Sequence, residues 1–387
     1  MPSVKLAHHH GHCGANHQVG GHPLISGFTR TCVKDLDHLT YLLRSVCKFG
    51  FPFLSGYTVT YAAKEAPQIE PVLMSAFPWV HARPSIADQL IVEFVKNRTG
   101  HSAPTSAGKS FFFPGVGYHA ALIDKLDADL FIGSDDTREW EYIMYYDSDN
   151  VLTRPLRPSD GFAIALKPDG QTRYQLRLVA SAWASAQAVP RATDVLSRRG
   201  WQMHEDAWRS HTAQMLNLTL AEVRYSTMTQ GGGLMYPAWM HTQLRSHLLR
   251  TLGKSLHEYA AALLEDRRKH EHMAADYELL GGYLKYVASD GGGVLWEEED
   301  GSAAHPWRDE AALPFPVLQE NSWLKQGLSL ERRLDYECIL GSSAREAEEY
   351  DQHKSLLARK LAHRATGWCA GLQGMRSVAR SVAEART

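Results

Sequence analysis

After its first two dozen residues the chain settles into an alternation of short apolar runs and longer amphipathic stretches. Leu24 to Cys32 reads as a strand, and from Lys34 to Val46 apolar residues recur at helical spacing, with Leu36, Leu39, Leu42, Leu43 and Val46 on one face. Phe53 to Ala62 alternates as a second strand and is closed by Lys64-Glu65-Ala66-Pro67. Strand, helix and strand in that order predict the start of a parallel, doubly wound sheet. A helix follows over Ser85 to Lys96, with Ala87, Leu90, Ile91, Phe94 and Val95 along one side, and then a polar loop from Asn97 to Lys109. Behind Gly115, residues Gly117 to Leu126 predict another helix, and Leu130-Phe131-Ile132 a short strand. The acidic linker Ser134 to Thr137 leads into Tyr142 to Tyr146, a run of β-branched, aromatic and apolar residues that predicts a buried strand.

Past Pro155 the punctuation by Pro and Gly increases, with short strands at Phe162 to Leu166 and Tyr174 to Val179 and small helices that include Ala207 to Leu218. Tyr225 to Pro237 reads as one strand broken by Gly231-Gly232-Gly233. Trp239 to Leu252 predicts a helix with Leu244, Leu248, Leu249 and Leu252 inward, and Leu256 to Val287 a second long helical stretch. The texture changes at Gly291. A loop-rich stretch, acidic at Glu297 to Asp300, gives way to charged helices expected at Leu330 to Ile339 and Ala344 to His363. Three segments result: a His/Gly-rich disordered one (1–22), a main domain (23–290), and a loop followed by a charged helical extension (291–387) that suits packing on that domain or assembly with a partner.

Composition narrows the classes. The 387 residues carry 41 Lys and Arg against 43 Asp and Glu, a formal charge of -2, with no long basic run, so neither nucleic acid nor an anionic membrane is an expected partner. No apolar run of membrane-spanning length and no signal-peptide order is visible, so the chain is expected to be soluble. Its compartment is expected to be the cytoplasm, or the Golgi lumen if an upstream anchor is missing. Asn97-Arg-Thr and Asn217-Leu-Thr are sequons that matter only on the secretory route. Five cysteines, an odd number without paired spacing, do not indicate a disulfide framework.

The candidate chemistry begins at Asp147 and Asp149, which follow the Tyr142 to Tyr146 strand directly. Ligands of open α/β sheets sit outside the carboxyl ends of strands. Two carboxylates two residues apart in extended chain face one side, which suits a hard divalent cation that also takes diphosphate oxygens. Asp35/Asp37 and Asp127/Asp129 share the spacing but fall in helical stretches, where a solvated face is the plainer account. The helix that feeds this strand is placed to bring Tyr118 and Lys125 to the same crevice. Asp276 and Glu278, beside Gly281-Gly282, read as carboxylates emerging at one end of a helix held on the sheet, and invite a catalytic role.

Taken together, the N-terminal strand with Lys34-Asp35-x-x-x-Leu39-x-x-Leu42-Leu43-x-Ser45, then Gly117-Tyr118-His119, then Tyr146-Asp147-Ser148-Asp149-Asn150-Val151 with Arg154-Pro155, resemble the GT-A class of nucleotide-sugar-dependent glycosyltransferases. Asp276-Tyr277-Glu278-Leu279-x-Gly281-x-Tyr283 is similar to the acidic Tyr-Glu helix start of a subset of that class. The resemblance implies an α/β, doubly wound mixed sheet with flanking helices, a nucleoside-diphosphate sugar as donor, and Mn2+ or Mg2+ at the strand-end carboxylates. It makes Asp149 the direct metal ligand and lets Asp147 reach metal or donor ribose with Ser148 between them. Tyr118 and Lys125 would border the donor. Glu278, or else Asp276, would take the proton of a glycan-type acceptor hydroxyl in an inverting enzyme. His305 is a further metal-ligand candidate by position, with His272 competing, and Gly231 to Gly233 with Tyr236 and Trp239 would border the acceptor. Base identity and stereochemistry stay open. The alternatives are an inactive sugar-nucleotide-binding or interaction protein of the same fold, and a nucleotidyltransferase, for which Ser26-Gly27-Phe28-Thr29-Arg30 is a poor phosphate loop.

Overall fold

The computed structural model describes residues 23–51, 53–101, 115–133, 140–166, 172–182, 207–227, 234–265, 274–288, 294–299, 317–319, 336 and 340. Its main sheet grows from β1 (Ile25–Thr31), buried almost throughout because helices cover both faces. α1 (Leu36–Ser45) buries Leu39, Leu42 and Leu43 and widens into a looser turn over Val46–Gly50. β2 (Gly56–Ala62) returns parallel to β1. α2 (Ala66–Ala76) and β3 (His81–Ser85) then carry the sheet to one edge, again in parallel. The residue pattern hid both: Pro67 read as the close of β2, although it sits in the first turn of α2, where a missing N–H is harmless, and the edge strand HARPS is largely polar.

α3 (Ala87–Thr99) ends on Gly100 in the left-handed region, and α4 (Val116–Leu126) and α5 (Ala128–Ile132) lead to β4 (Tyr142–Tyr145). β4 lies parallel to β1 on the side opposite β2, so the chain reverses its direction of travel across the sheet between β1 and β4. After β5 (Asn150–Leu152), the single turn α6 (Pro158–Gly161), the antiparallel pair β6 (Phe162–Leu166) and β7 (Thr172–Ala182), α7 (207–216) and β8 (Tyr225–Ser226), the chain returns as β9 (Leu234–Pro237). β9 pairs antiparallel with β4, giving the order β3-β2-β1-β4-β9. The sheet is therefore mixed and flanked by helices, as expected.

α8 (Trp239–Leu252), α9 (Leu256–Glu265) and α10 (Asp276–Gly282) complete the helical layers, and β10 (Leu295–Glu299) and β11 (Val317–Gln319) follow. β10 pairs with β7 and β11 with β5, while Tyr336 is fully buried against Tyr41, so parts of the segment beyond residue 290 pack into the main domain. The remainder of the helices expected at Leu330 to Ile339 and Ala344 to His363 lies outside the described residues, as do residues 1–22. Among the described residues no helix is long and apolar enough to cross a membrane.

Four local expectations are corrected. Leu130-Phe131-Ile132 belongs to helix α5: Asp129 in its first turn is gripped by Arg245 of α8, and three apolar residues carry no period of their own. Tyr225 to Pro237 supplies two strands in different sheets, β8 beside β7 and β9 beside β4. Leu256 to Val287 is not one helix, because Ala275 is extended (φ -66, ψ 143) and α10 starts afresh after it. Leu249 faces solvent while Leu244 and Leu248 are buried. Of the two cysteines among the described residues, Cys47 is disulfide-bonded and Cys32 is a free thiol.

Two buried polar clusters fix α4 against the sheet. Arg30 at the end of β1 pairs with Asp124 of α4 (2.6 Å) and Asp88 of α3 (3.2 Å). His241 of α8 lies fully buried between the Tyr145 hydroxyl (2.9 Å) and the carbonyl of Leu126 (3.1 Å) at the end of α4. Burial lowers the His241 pKa from 6.5 to about 4, despite Asp129 nearby. A folded-state pKa below the unfolded one means stability present above pH 6.5 and lost as the pH falls towards 4, at up to about 1.4 kcal/mol per pH unit for one proton. Asp124 and Asp127, both raised to about 6 chiefly by burial, run the other way, so the histidine is isolated by difference. His241→Gln keeps polar partners for Tyr145 and Leu126 without titrating. Its stability deficit relative to wild type, from urea melts at about pH 7 and about pH 5, is expected to shrink at the lower pH.

Candidate active site

In open α/β sheets the ligand crevice opens where the strand order reverses, outside the carboxyl ends of the two diverging strands. Here those strands are β1 and β4. Tyr146 N–H still bonds the carbonyl of Phe28 on β1, and immediately beyond it the chain turns. Asn150 N–H donates to the carbonyl of Asp147 (3.0 Å), while the Asn150 side-chain oxygen accepts from Asp147 N–H (2.8 Å). This reciprocal pair sets Asp147-Ser148-Asp149 as a tight turn between β4 and β5. The Asp147 side chain is 33% exposed, whereas Asp149 is only 4% exposed and Asn150 is fully buried.

Lys125, in the last turn of α4, reaches into the crevice from below. Its ammonium donates to Asp147 Oδ1 (2.8 Å) and to the Tyr277 hydroxyl (3.2 Å), and it forms an ion pair with Asp276. The Tyr277 hydroxyl donates in turn to Asp147 Oδ1 (3.3 Å). Burial works against the ammonium, but Asp147 and then Asp276 outweigh it and hold the Lys125 pKa well above its ordinary value. Tyr118 lies seven residues before Lys125, on the same face of α4; burial and then Asp276 raise its pKa, and the residue is partly exposed. Lys125, Asp147, Asp276 and Tyr277 are thus brought together, with Tyr118 on the same helix face as Lys125.

Glu278 is not in that group. Two positions apart on a helix turn the side chains through about 200°. Glu278, 2% exposed, accepts from the backbone N–H (2.9 Å) and hydroxyl (3.4 Å) of Thr227. The Thr227 hydroxyl also bonds the Tyr277 carbonyl (2.9 Å), and a Cβ on Gly281 would overlap the Thr227 side chain, so the residue type there permits the close seating of α10. Tyr236, suggested above for the acceptor border, is buried in β9 with its hydroxyl on the Tyr277 carbonyl (3.4 Å), whereas Trp239 is exposed. His305, His272 and Gly231 to Gly233 lie outside the described residues.

Sequence reasoning set Asp35 aside as a solvated helix charge. In the structure its carboxylate accepts from Ser148 (3.4 Å) and Cys32 (3.2 Å), so it faces the carboxylate turn from the β1 side. The signal that would have found it was position, four residues past the end of a central strand. Burial and then Asp35 push the Cys32 thiol up to about 12, which keeps it protonated near neutral pH. Among the described residues no group of three or more His, Cys, Asp or Glu converges as a metal-binding set. Asp147 and Asp149 remain as a carboxylate pair on one turn, a donor set that fits a hard cation completed by oxygens from a ligand.

Replacing Lys125 by Met keeps much of the bulk but leaves Asp147 and Asp276 without their shared counter-charge. Breaking such a pair from one side is expected to cost about 3 kcal/mol, near the low end of the usual range because Asp147 keeps solvent contact. Adding Asp276→Asn should recover about 1 kcal/mol or more of that loss, measured as a double-mutant cycle in urea.

Neither a protein-family model nor a curated protein matches this sequence. Among solved structures, the chain is similar to mouse xyloside xylosyltransferase 1 in its apo form, at 10% identity and a TM-score of 0.32, over 78% of this chain and 98% of that one. It is also similar to the apo form of the bifunctional glycosyltransferase WbbM, at 11% identity and a TM-score of 0.28, over 65% of this chain and 39% of that one.

Proposed function

We propose that the chain transfers a sugar from a nucleoside-diphosphate sugar to an acceptor hydroxyl, with Mn2+ or Mg2+ held jointly by Asp147, Asp149 and the donor diphosphate. The observation that carries this reading is the Asp147-Ser148-Asp149 turn at the point where the sheet order reverses, with Lys125, Asp276 and Tyr277 gathered on it. Mg2+ dehydrates reluctantly and is usually bound by one or two carboxylates together with substrate phosphates, which is the donor set available among the described residues. Such an ion, when bound, neutralises the charge that builds on a departing nucleoside diphosphate.

In this reading each residue of the crevice has one task. Asp149 is the main carboxylate for the cation, and Asp147 divides its oxygens between the cation and Lys125. Ser148, tied to Asp35, keeps the turn facing the β1 side, where donor ribose would lie. Lys125 and Tyr118 flank the donor. Support for Asp276 over Glu278 as the carboxylate at the reacting centre comes from its contact with Lys125 and its 16% exposed side chain, against the closure of Glu278 by Thr227. His305 keeps its place only as a further ligand candidate.

The test is thermal unfolding with UDP or GDP, each with and without Mn2+. One nucleotide together with metal is expected to stabilise the fold by about 2.7 kcal/mol at a hundredfold excess over its dissociation constant, and metal alone to do little. Asp149→Asn should abolish the metal-dependent part. A shift of equal size in Asp149→Asn would sink the proposed cation site. With the matching sugar nucleotide, Asp276→Asn is expected to lower turnover by about a hundredfold or more while nucleotide binding persists. A larger loss in Glu278→Gln than in Asp276→Asn, at matched stability, would reverse the assignment.

A further inference from the structure

We infer that Lys125 and Tyr277 confine Asp147 to a single oxygen for the cation, and that this limit makes the carboxylate turn choose a small octahedral cation, Mg2+ or Mn2+, over Ca2+. The inference deepens the cation site proposed above and rests on it. Two donors converge on one oxygen. Asp147 Oδ1 accepts from the Lys125 ammonium at 2.8 Å and from the Tyr277 hydroxyl at 3.3 Å, and the ammonium also donates to that hydroxyl at 3.2 Å. A carboxylate oxygen offers about two lone-pair sites, so both sites of Oδ1 are taken. Neither donor is loosely held. The three N–H groups of the ammonium go to Asp147, Tyr277 and Asp276, and it lies 4.4 Å from the centre of the Tyr277 ring. Tyr277 is 6% exposed, and its backbone carbonyl accepts from the hydroxyls of Thr227 (2.9 Å) and Tyr236 (3.4 Å).

The coordination habits of the cations turn this arrangement into selectivity. Ca2+ collects about six to eight oxygens and often grips a carboxylate through both of its own. Mg2+ keeps a near-ideal octahedron, retains several waters and is held by one or two carboxylates with substrate phosphates, for which one oxygen from each carboxylate is enough. Mn2+ shares the octahedral oxygen preference. Asp147 meets a cation through Oδ2 at most, because a grip through both oxygens would break the bond from Lys125 or from Tyr277. The larger cation is thereby denied an oxygen that the smaller ones do not use. Tyr277 is in this sense a positioning residue, acting on the cation through Asp147.

The experiment is calorimetric titration of the full chain with UDP and with GDP, each at saturating Mn2+ and at saturating Ca2+. Wild type is expected to bind one of the nucleotides more tightly with Mn2+ than with Ca2+. Tyr277→Phe keeps the ring under the ammonium and removes only the hydroxyl, and it should shrink that ratio about fivefold, the size of one hydrogen bond, mainly by improving binding with Ca2+. A ratio near one in wild type, or one unchanged in a folded Tyr277→Phe, overturns the inference and leaves the transferase reading standing. A second measurement uses neither metal nor nucleotide: in urea melts, Tyr277→Phe and Asp147→Asn are expected to be non-additive. Additive effects would show that the hydroxyl does not act on Asp147, and they overturn the inference whatever the cations do. Wild type indifferent to both cations with either nucleotide removes the cation site and this inference together, and a non-additive cycle then assigns the failure to the site rather than to Tyr277.

Discussion

A single ammonium group holds three separately built parts of the chain at one point. Lys125 comes from the end of α4, Asp147 from the turn after β4, and Asp276 from the first position of α10. None of these is a neighbour of another in sequence, and each has packing of its own besides the charges. α4 is pinned to the sheet by Arg30 with Asp124 and by His241, the turn by Asn150, and α10 by Thr227 against Gly281. A charge pair formed this way contributes little net stability over apolar packing, but it is costly to leave half-made. It therefore acts chiefly as a constraint on geometry: the crevice has one arrangement in which no buried charge is stranded.

How much of this was legible in sequence depended on the kind of signal. The β1-α1-β2 unit and β4 were readable because their apolar periods are long and unbroken, and the carboxylate pair stood out because a strand precedes it. Lys125 could be placed near the crevice from chain order alone. Its partner Asp276 and the opposed direction of Glu278 required knowing that α10 begins at Asp276, a boundary set by one extended residue, Ala275. Asp35 was missed because its carboxylate looked like its neighbour Asp37, and only the strand order shows which of the two sits at the reversal. α2 and β3 were invisible for a simpler reason: prolines and an exposed edge erase the periodicity on which such readings depend.

The segment after residue 290 also changes meaning once its contacts are known. Its charged composition left packing and partner binding both open; β10 extends the sheet built on β7, β11 covers β5, and Tyr336 reaches the core beside Tyr41. A late strand that pairs next to Asn150 makes the turn's outer wall a long-range product of folding. Contacts of such sequence separation close large loops and form late.

Among the described residues, the crevice gathers four carboxylates by formal charge, Asp35, Asp147, Asp149 and Asp276, around the ammonium of Lys125. An anionic ligand arriving alone would meet a wall of its own sign, and at a few ångströms in a half-buried cleft that repulsion is felt well inside the screening length. Entry in the company of a cation removes the conflict. On the proposed reading, that excess of carboxylate favours a polyanion that arrives with its cation over one that arrives bare.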